Sequence, residues 1–153
     1  MKPHILIMGL GNLLMGDEGI GIRCVEYLSE KQFPEGTDLL DGGTAGFQLI
    51  SLFGEYDHLI LIDATAGEGI PGQVDVLRPR FASDFPRSLT SHDIGLKDLV
   101  QSAELLGELP DIYLITISVK KADQVTMDLS PELEDSPEKV YGAVQKIMAG
   151  LQG

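Results

Sequence analysis

Residues 58–63 read His58-Leu59-Ile60-Leu61-Ile62-Asp63, four aliphatic side chains in a row between a histidine and a carboxylate. The run is too short for a helix and rich in β-branched residues, as expected of a strand buried on both faces. Working outward from it, His4-Ile5-Leu6-Ile7-Met8-Gly9 and Ile112-Tyr113-Leu114-Ile115-Thr116-Ile117 repeat the pattern, and residues 37–41 and 73–77 are weaker strand candidates. Helical spacing lies between them. Ile20, Cys24 and Leu28 form one apolar stripe, and Leu96, Leu99, Val100 and Ala103 another. A last helix starts with Ser136 as N-cap and Pro137 at its first position, and aligns Val140, Val144, Ile147 and Leu151.

Strands that alternate with helices predict an α/β fold, a single three-layer domain over residues 1–153 with a mostly parallel five-stranded sheet and helices on both faces. Right-handed crossovers bring the C-terminal ends of the parallel strands to one edge, where ligands bind such sheets. Polar residues just after strands are therefore the first to weigh.

Composition narrows the partners. The 153 residues carry a net charge of −13, which repels phosphate backbones, and neither Lys120-Lys121 nor Arg78-Pro79-Arg80 amounts to a nucleic-acid surface. No run approaches the roughly 18 apolar residues of a membrane helix, and residues 1–9 lead into a glycine turn rather than a signal cleavage site, so a cytoplasmic protein is expected. One cysteine, Cys24, excludes an internal disulfide and sits on a helical stripe as a packed, inert thiol.

Several site patterns fail. In Gly9-Leu10-Gly11-Asn12-Leu13-Leu14, Leu14 stands where a dinucleotide fingerprint needs its third glycine. There is no phosphate-loop lysine, nucleophile-elbow serine or paired-histidine zinc helix. His4 and His58 begin strands at the far edge and are read as structural.

What remains are strand-end residues. Glu18, in Gly16-Asp17-Glu18-Gly19-Ile20-Gly21, enters the first helix, where an acidic turn also suits the helix dipole and Asp17 suits an N-cap. Asp63 ends the third strand, a costly place for a carboxylate that binds nothing. Asp41 is followed by Gly42, Gly43 and Thr44, a loop fit for a tight turn or for lining a substrate path. His92 precedes a helix in Thr90-Ser91-His92-Asp93-Ile94-Gly95. Together, two carboxylates and an imidazole are a ligand set for a divalent ion such as zinc or nickel, with coordination positions left open for hydrolysis.

These motifs, in this order, resemble the hydrogenase maturation endopeptidases: Gly9-Leu10-Gly11-Asn12 with Gly16-Asp17-Glu18-Gly19-Ile20-Gly21, then Asp41-Gly42-Gly43-Thr44-Ala45-Gly46, Ile62-Asp63-Ala64, and Ser91-His92-Asp93-Ile94-Gly95-Leu96. The resemblance covers nearly the whole chain. It implies a metal-binding trio of Glu18, Asp63 and His92, and cleavage of one bond near the C-terminus of a nickel-iron hydrogenase large-subunit precursor after nickel insertion. The nickel would arrive with the precursor, with zinc able to occupy the site in vitro, and Asp17 or Asp41 would serve as general base. Many members carry a glycine, glutamine and proline stretch after the last strand; here it reads Ser118-Val119-Lys120-Lys121-Ala122-Asp123-Gln124, which leaves the precursor's identity open. A noncatalytic metal-binding or assembly module would keep the same fold and carboxylates, as would a metal-using hydrolase of small substrates.

Overall fold

Five strands hydrogen-bond into one sheet in the order β2-β1-β3-β5-β4. The computed structural model describes residues 3–43, 50–67, 69–90, 96–107, 109–121 and 124–152. The strands are β1 (Ile5–Leu10), β2 (Thr37–Gly43), β3 (His58–Ala66), β4 (Val74–Leu77) and β5 (Asp111–Val119); the helices are α1 (Ile20–Leu28), α2 (Ile50–Phe53), α3 (Leu96–Leu105) and α4 (Ser136–Gln152). All neighbouring strands are parallel except β4, which pairs antiparallel with β5 at one edge.

The apolar runs have the two-faced character expected of them. Ile5, Ile7, Ile60, Ile62, Ile115 and Ile117 point to one face and pack with Cys24 and Leu28 of α1 and Val140 and Val144 of α4. The alternate residues Leu6, Met8, Leu59, Leu61 and Leu114 meet Phe53 of α2 and Val100 and Ala103 of α3 on the other. Each fully buried aliphatic side chain contributes about 1.5–3 kcal/mol, so the three central strands are the best-stabilised part of the molecule. No helix among the described residues is long and apolar enough to cross a membrane.

Two local expectations are corrected, and one element was not foreseen. β3 does not end at Asp63 but continues to Ala66, because β5, itself extended to Val119, keeps pairing with it. Ser136 does not cap α4 with its side chain: its buried Oγ has no hydrogen-bond partner, and the Pro131–Leu133 3-10 turn leads into the helix, with the Asp135 carbonyl accepting from Lys139. The short helix α2 carries no periodic stripe by which to foresee it.

Candidate active site at the β1–β3 crevice

The chain leaves β1 towards β2 on one side and later returns as β3 on the other, so strand order reverses between β1 and β3. The β1–β3 ladder ends at the pair Gly9–Ile62, and Asp63 is the first residue past it. Asp63 is fully buried, although β5 still holds its backbone opposite Thr116. Burying a carboxylate is expensive unless donors or a cation meet it. Its Oδ1 accepts the Ala64 N–H at 2.8 Å and the Thr90 hydroxyl at 2.7 Å. The loop carrying Thr90 is tied to the overhanging end of β3, where the Ala66 N–H donates to the Ser88 carbonyl at 3.0 Å.

Two close backbone approaches seat the turn that carries Glu18 and the helix that follows it. Gly11 has φ +134°, and a Cβ there would lie 2.4 Å from the Glu18 carbonyl oxygen, so only glycine lets the loop after β1 fold against the 3-10 turn Gly16–Gly19. In the first turn of α1, a Cβ on Gly21 would lie 2.3 Å from the Leu10 carbonyl oxygen and 2.4 Å from that of Ile62. The helix start is thus seated on the C-terminal ends of β1 and β3. The turn that carries half-buried Glu18 packs against β3, the strand that carries buried Asp63.

Asp17 turns away to a different task. Its Oδ1 accepts the Ser130 N–H at 2.7 Å and its Oδ2 the Ser130 hydroxyl at 2.6 Å, a bidentate clamp across 113 positions of sequence. Through these two bonds Asp17 holds the turn against the segment after β5. No helix-capping bond comes from its side chain, and none caps this turn. Neither Ser130 nor Thr90 stood out in the sequence, where both look like ordinary loop residues.

Asp41 is exposed two residues before the end of β2, opposite Gly9. It stands on the far side of β1 from Asp63, about two strand spacings or roughly 10 Å away. Gly42 is buried and lies close to the Met8 side chain, while Gly43 has φ +43°. Both belong to β2, so the loop expected from Asp41 onward begins inside a strand. Thr44 and His92 lie outside the described residues. Among the described residues there is no group of three or more His, Cys, Asp or Glu side chains arranged to hold a metal. Two carboxylates there suit the oxygen share of a mixed oxygen and nitrogen site.

Cys24 is fully buried, and burial pushes its thiol up to about 12. His4 is exposed, and His58 at the start of β3 lies 3.7 Å from Asp111 across the sheet edge. A recess of about 430 Å³ between Arg78, Arg80 and Asp111 opens at that same N-terminal edge, remote from Asp63.

A family model described as hydrogenase maturation protease matches residues 22–147. The chain is 41% identical over 127 residues to the hydrogenase expression/formation protein HupM of Azotobacter chroococcum mcd 1, covering 80% of this chain but 59% of that protein. It therefore spans less than two thirds of that relative's length. It is 32% identical over 152 residues to the hydrogenase 2 maturation protease of Escherichia coli strain K12, covering 97% of this chain and 91% of that one. The solved structure of the hydrogenase maturating endopeptidase HybD from E. coli superimposes with a TM-score of 0.82 at 32% identity, covering 97% of this chain and 92% of that one.

Proposed function

This chain belongs to the hydrogenase maturation protease family, and from that premise we propose that it is a cytoplasmic endopeptidase that removes the C-terminal extension of a nickel-iron hydrogenase large-subunit precursor. The observation that carries the proposal is Asp63, a wholly buried carboxylate at the point where strand order reverses, facing the turn that bears Glu18. The Ala64 N–H and the Thr90 hydroxyl meet this buried acid and hold it oriented at the edge where such sheets bind ligands.

In this reading Glu18, Asp63 and His92 are the ligands offered to a divalent ion, which the nickel-loaded precursor itself brings. The ion would supply a Lewis acid for the scissile carbonyl and lower the pKa of a water towards about 7. The protein's own part is orientation. Thr90 and the Ala64 N–H fix the Asp63 carboxylate, and the Asp17–Ser130 clamp fixes the turn under Glu18. The edge formed by Asp41, Gly42, Gly43 and Thr44 would carry the substrate backbone past the crevice, with Asp41 as the acid open to receive a proton. One imidazole and two carboxylates bind metal less firmly than three imidazoles or thiolates, so cleavage would report that nickel has been loaded.

The test is the mass of a precursor before and after incubation with the protein, with and without nickel. The expected result is loss of a C-terminal peptide from the nickel-loaded precursor only, abolished by Asp63→Asn and by His92→Ala in folded protein. Processing that survives either substitution overturns the proposal. A precursor that binds but keeps its mass would make the chain a noncatalytic assembly module, and tight nickel binding by the isolated protein with cleavage of nickel-free precursor would remove the checkpoint.

A further inference from the structure

The register of the sheet sets Asp63 of β3 beside Thr116 of β5, and Thr116 beside Asp75 of β4. Which face this row occupies follows from the residues on either side of it. Ile62 and Ala64 of β3 pack with α1 and α4, as do Ile115 and Ile117 of β5, while Leu61 and Leu114 pack on the α2 and α3 side. Side chains alternate along a strand, so Asp63 and Thr116 stand next to each other on the α2 and α3 side. Neighbouring strands lie about 4.8 Å apart, a spacing that one rotamer turn of the threonine closes to hydrogen-bond length from a carboxylate.

Thr116 is 4% exposed, and its hydroxyl makes no hydrogen bond among the described residues. A buried hydroxyl without a partner is a standing cost, which calls for a task. Two acceptors flank it in the row. Asp75 is exposed, and its carboxylate already receives Gln73 Nε2 at 3.1 and 3.4 Å. Asp63 is wholly buried, where a hydrogen bond to a charge counts for most. Ser118, the next residue of β5 on that face, has other neighbours: it pairs with Thr65, and a Cβ on Gly69 would come 2.8 Å from its Oγ.

Resting on the endopeptidase reading, we propose that Thr116 is a positioning residue for Asp63. At rest, Oδ1 of Asp63 is held by the Ala64 N–H and the Thr90 hydroxyl. When the carboxylate engages the precursor, the Thr116 side chain turns by one rotamer and its hydroxyl donates to Asp63, so that the acid is held from the sheet as well as from the loop of Thr90. The proton stays on Thr116, and no covalent bond is made or broken. Because this hydrogen bond forms only in the loaded site, it acts on processing and not on the stability of the free protein.

The test compares Thr116→Val, which keeps the shape and removes the donor, with Thr116→Ser, which keeps the donor and removes a methyl. Thr116→Val is expected to lower kcat/KM for nickel-loaded precursor by about tenfold or more, the usual worth of a hydrogen bond to a charged group. The same variant, free of precursor, should unfold at the wild-type urea concentration or above it, since the hydroxyl it loses has no partner there. Thr116→Ser should unfold earlier through the lost methyl, yet process precursor within about twofold of the wild type. Activity and stability thus move in opposite directions, whereas a packing role would make the serine variant the impaired one and the valine variant the sound one. Ser118→Ala removes a neighbouring hydroxyl that does not flank Asp63, and should keep the wild-type kcat/KM. Unchanged processing by Thr116→Val, an equal loss in Thr116→Ser or in Ser118→Ala, or early unfolding of Thr116→Val overturns the role of Thr116 and leaves the endopeptidase reading standing. A wild type that cleaves no precursor overturns that reading and this inference with it.

Discussion

Replacing Gly21 by alanine sets two effects of known sign against each other. Inside a helix, alanine is favoured over glycine by about 0.5–1 kcal/mol. Here, however, the new methyl would meet the Leu10 carbonyl oxygen at 2.3 Å and that of Ile62 at 2.4 Å, against an ordinary carbon–oxygen contact of about 3.3 Å or more. Both obstacles are strand backbone and cannot rotate aside, so α1 must lift by about 1 Å. Overpacking of this kind costs about 1–3 kcal/mol, and the upper end applies where nothing flexible gives way. The net expectation is a loss of about 2 kcal/mol, or roughly 4–8 °C in Tm for a chain of this size. Gly142→Ala is the control, since α4 leaves open space around that position and the substitution should gain about 0.5–1 kcal/mol. Urea and thermal unfolding of the two variants side by side read the difference directly. If Gly21→Ala shifts the midpoint in the same direction as Gly142→Ala, the helix does not sit on the strand ends as described. Because the same lift moves the Glu18 turn, Gly21→Ala should also lower precursor processing under conditions where it remains folded.

Ser130→Ala removes the hydroxyl that donates to Asp17 Oδ2 at 2.6 Å while keeping the backbone N–H. A hydrogen bond to a charged group contributes about 1.5–3 kcal/mol, less where water shares it, so about 1–2 kcal/mol should be lost. Hydrogen exchange at the Thr126 and Gly16 amides, which join the segment after β5 to the loop after β1, should quicken, and unchanged exchange would show that the clamp does not brace that segment. For Cys24, burial pushes the native thiol up to about 12, while the unfolded thiol ionises near 8.5–9. Stability from this group is fully present below about pH 9 and is lost as pH rises towards 12, since the unfolded chain then holds fewer protons than the native one. Cys24→Ala should flatten that alkaline decline by up to about 1.4 kcal/mol per pH unit; a slope identical to the wild type would contradict it. In the native wild type, thiol reagents should label Cys24 only at the rate of unfolding.

The central strands were legible because their burial on both faces leaves a chemical trace along the chain itself. Ile5 to Leu10, Leu59 to Ile62 and Ile112 to Ile117 need no partner's identity to be read as strands, and the charged, exposed edge strand β4 was accordingly the weaker signal. Their ends were less legible. Whether β3 stops at Asp63 or at Ala66 depends on how far β5 accompanies it, and Asp63 cannot announce that its neighbour across the sheet is Thr116. The expected N-cap at Ser136 failed for a similar reason, because the preceding turn supplies the entry into α4 that an isolated helix would need its cap to provide.

The crevice shows the same division more sharply. Glu18 and Asp63 could be picked out one at a time, since a carboxylate after an apolar strand or in a glycine-rich turn is anomalous in its own local sequence. Their supports could not be, because the anomaly of one residue is resolved by another far away: Thr90 is 27 positions from Asp63, and Ser130 is 113 from Asp17. Local sequence therefore located the charges but not the loops that aim them. That has a mechanical consequence. The Thr90 and Ser130 links each join an acid-bearing segment to a distant loop, so weakening a link should disturb the crevice at little cost to the sheet. The Ser130 segment also carries exposed Val125 and Met127 and pairs with the loop that carries Leu14, and so a single clamp braces both the Glu18 turn and the surface beside it.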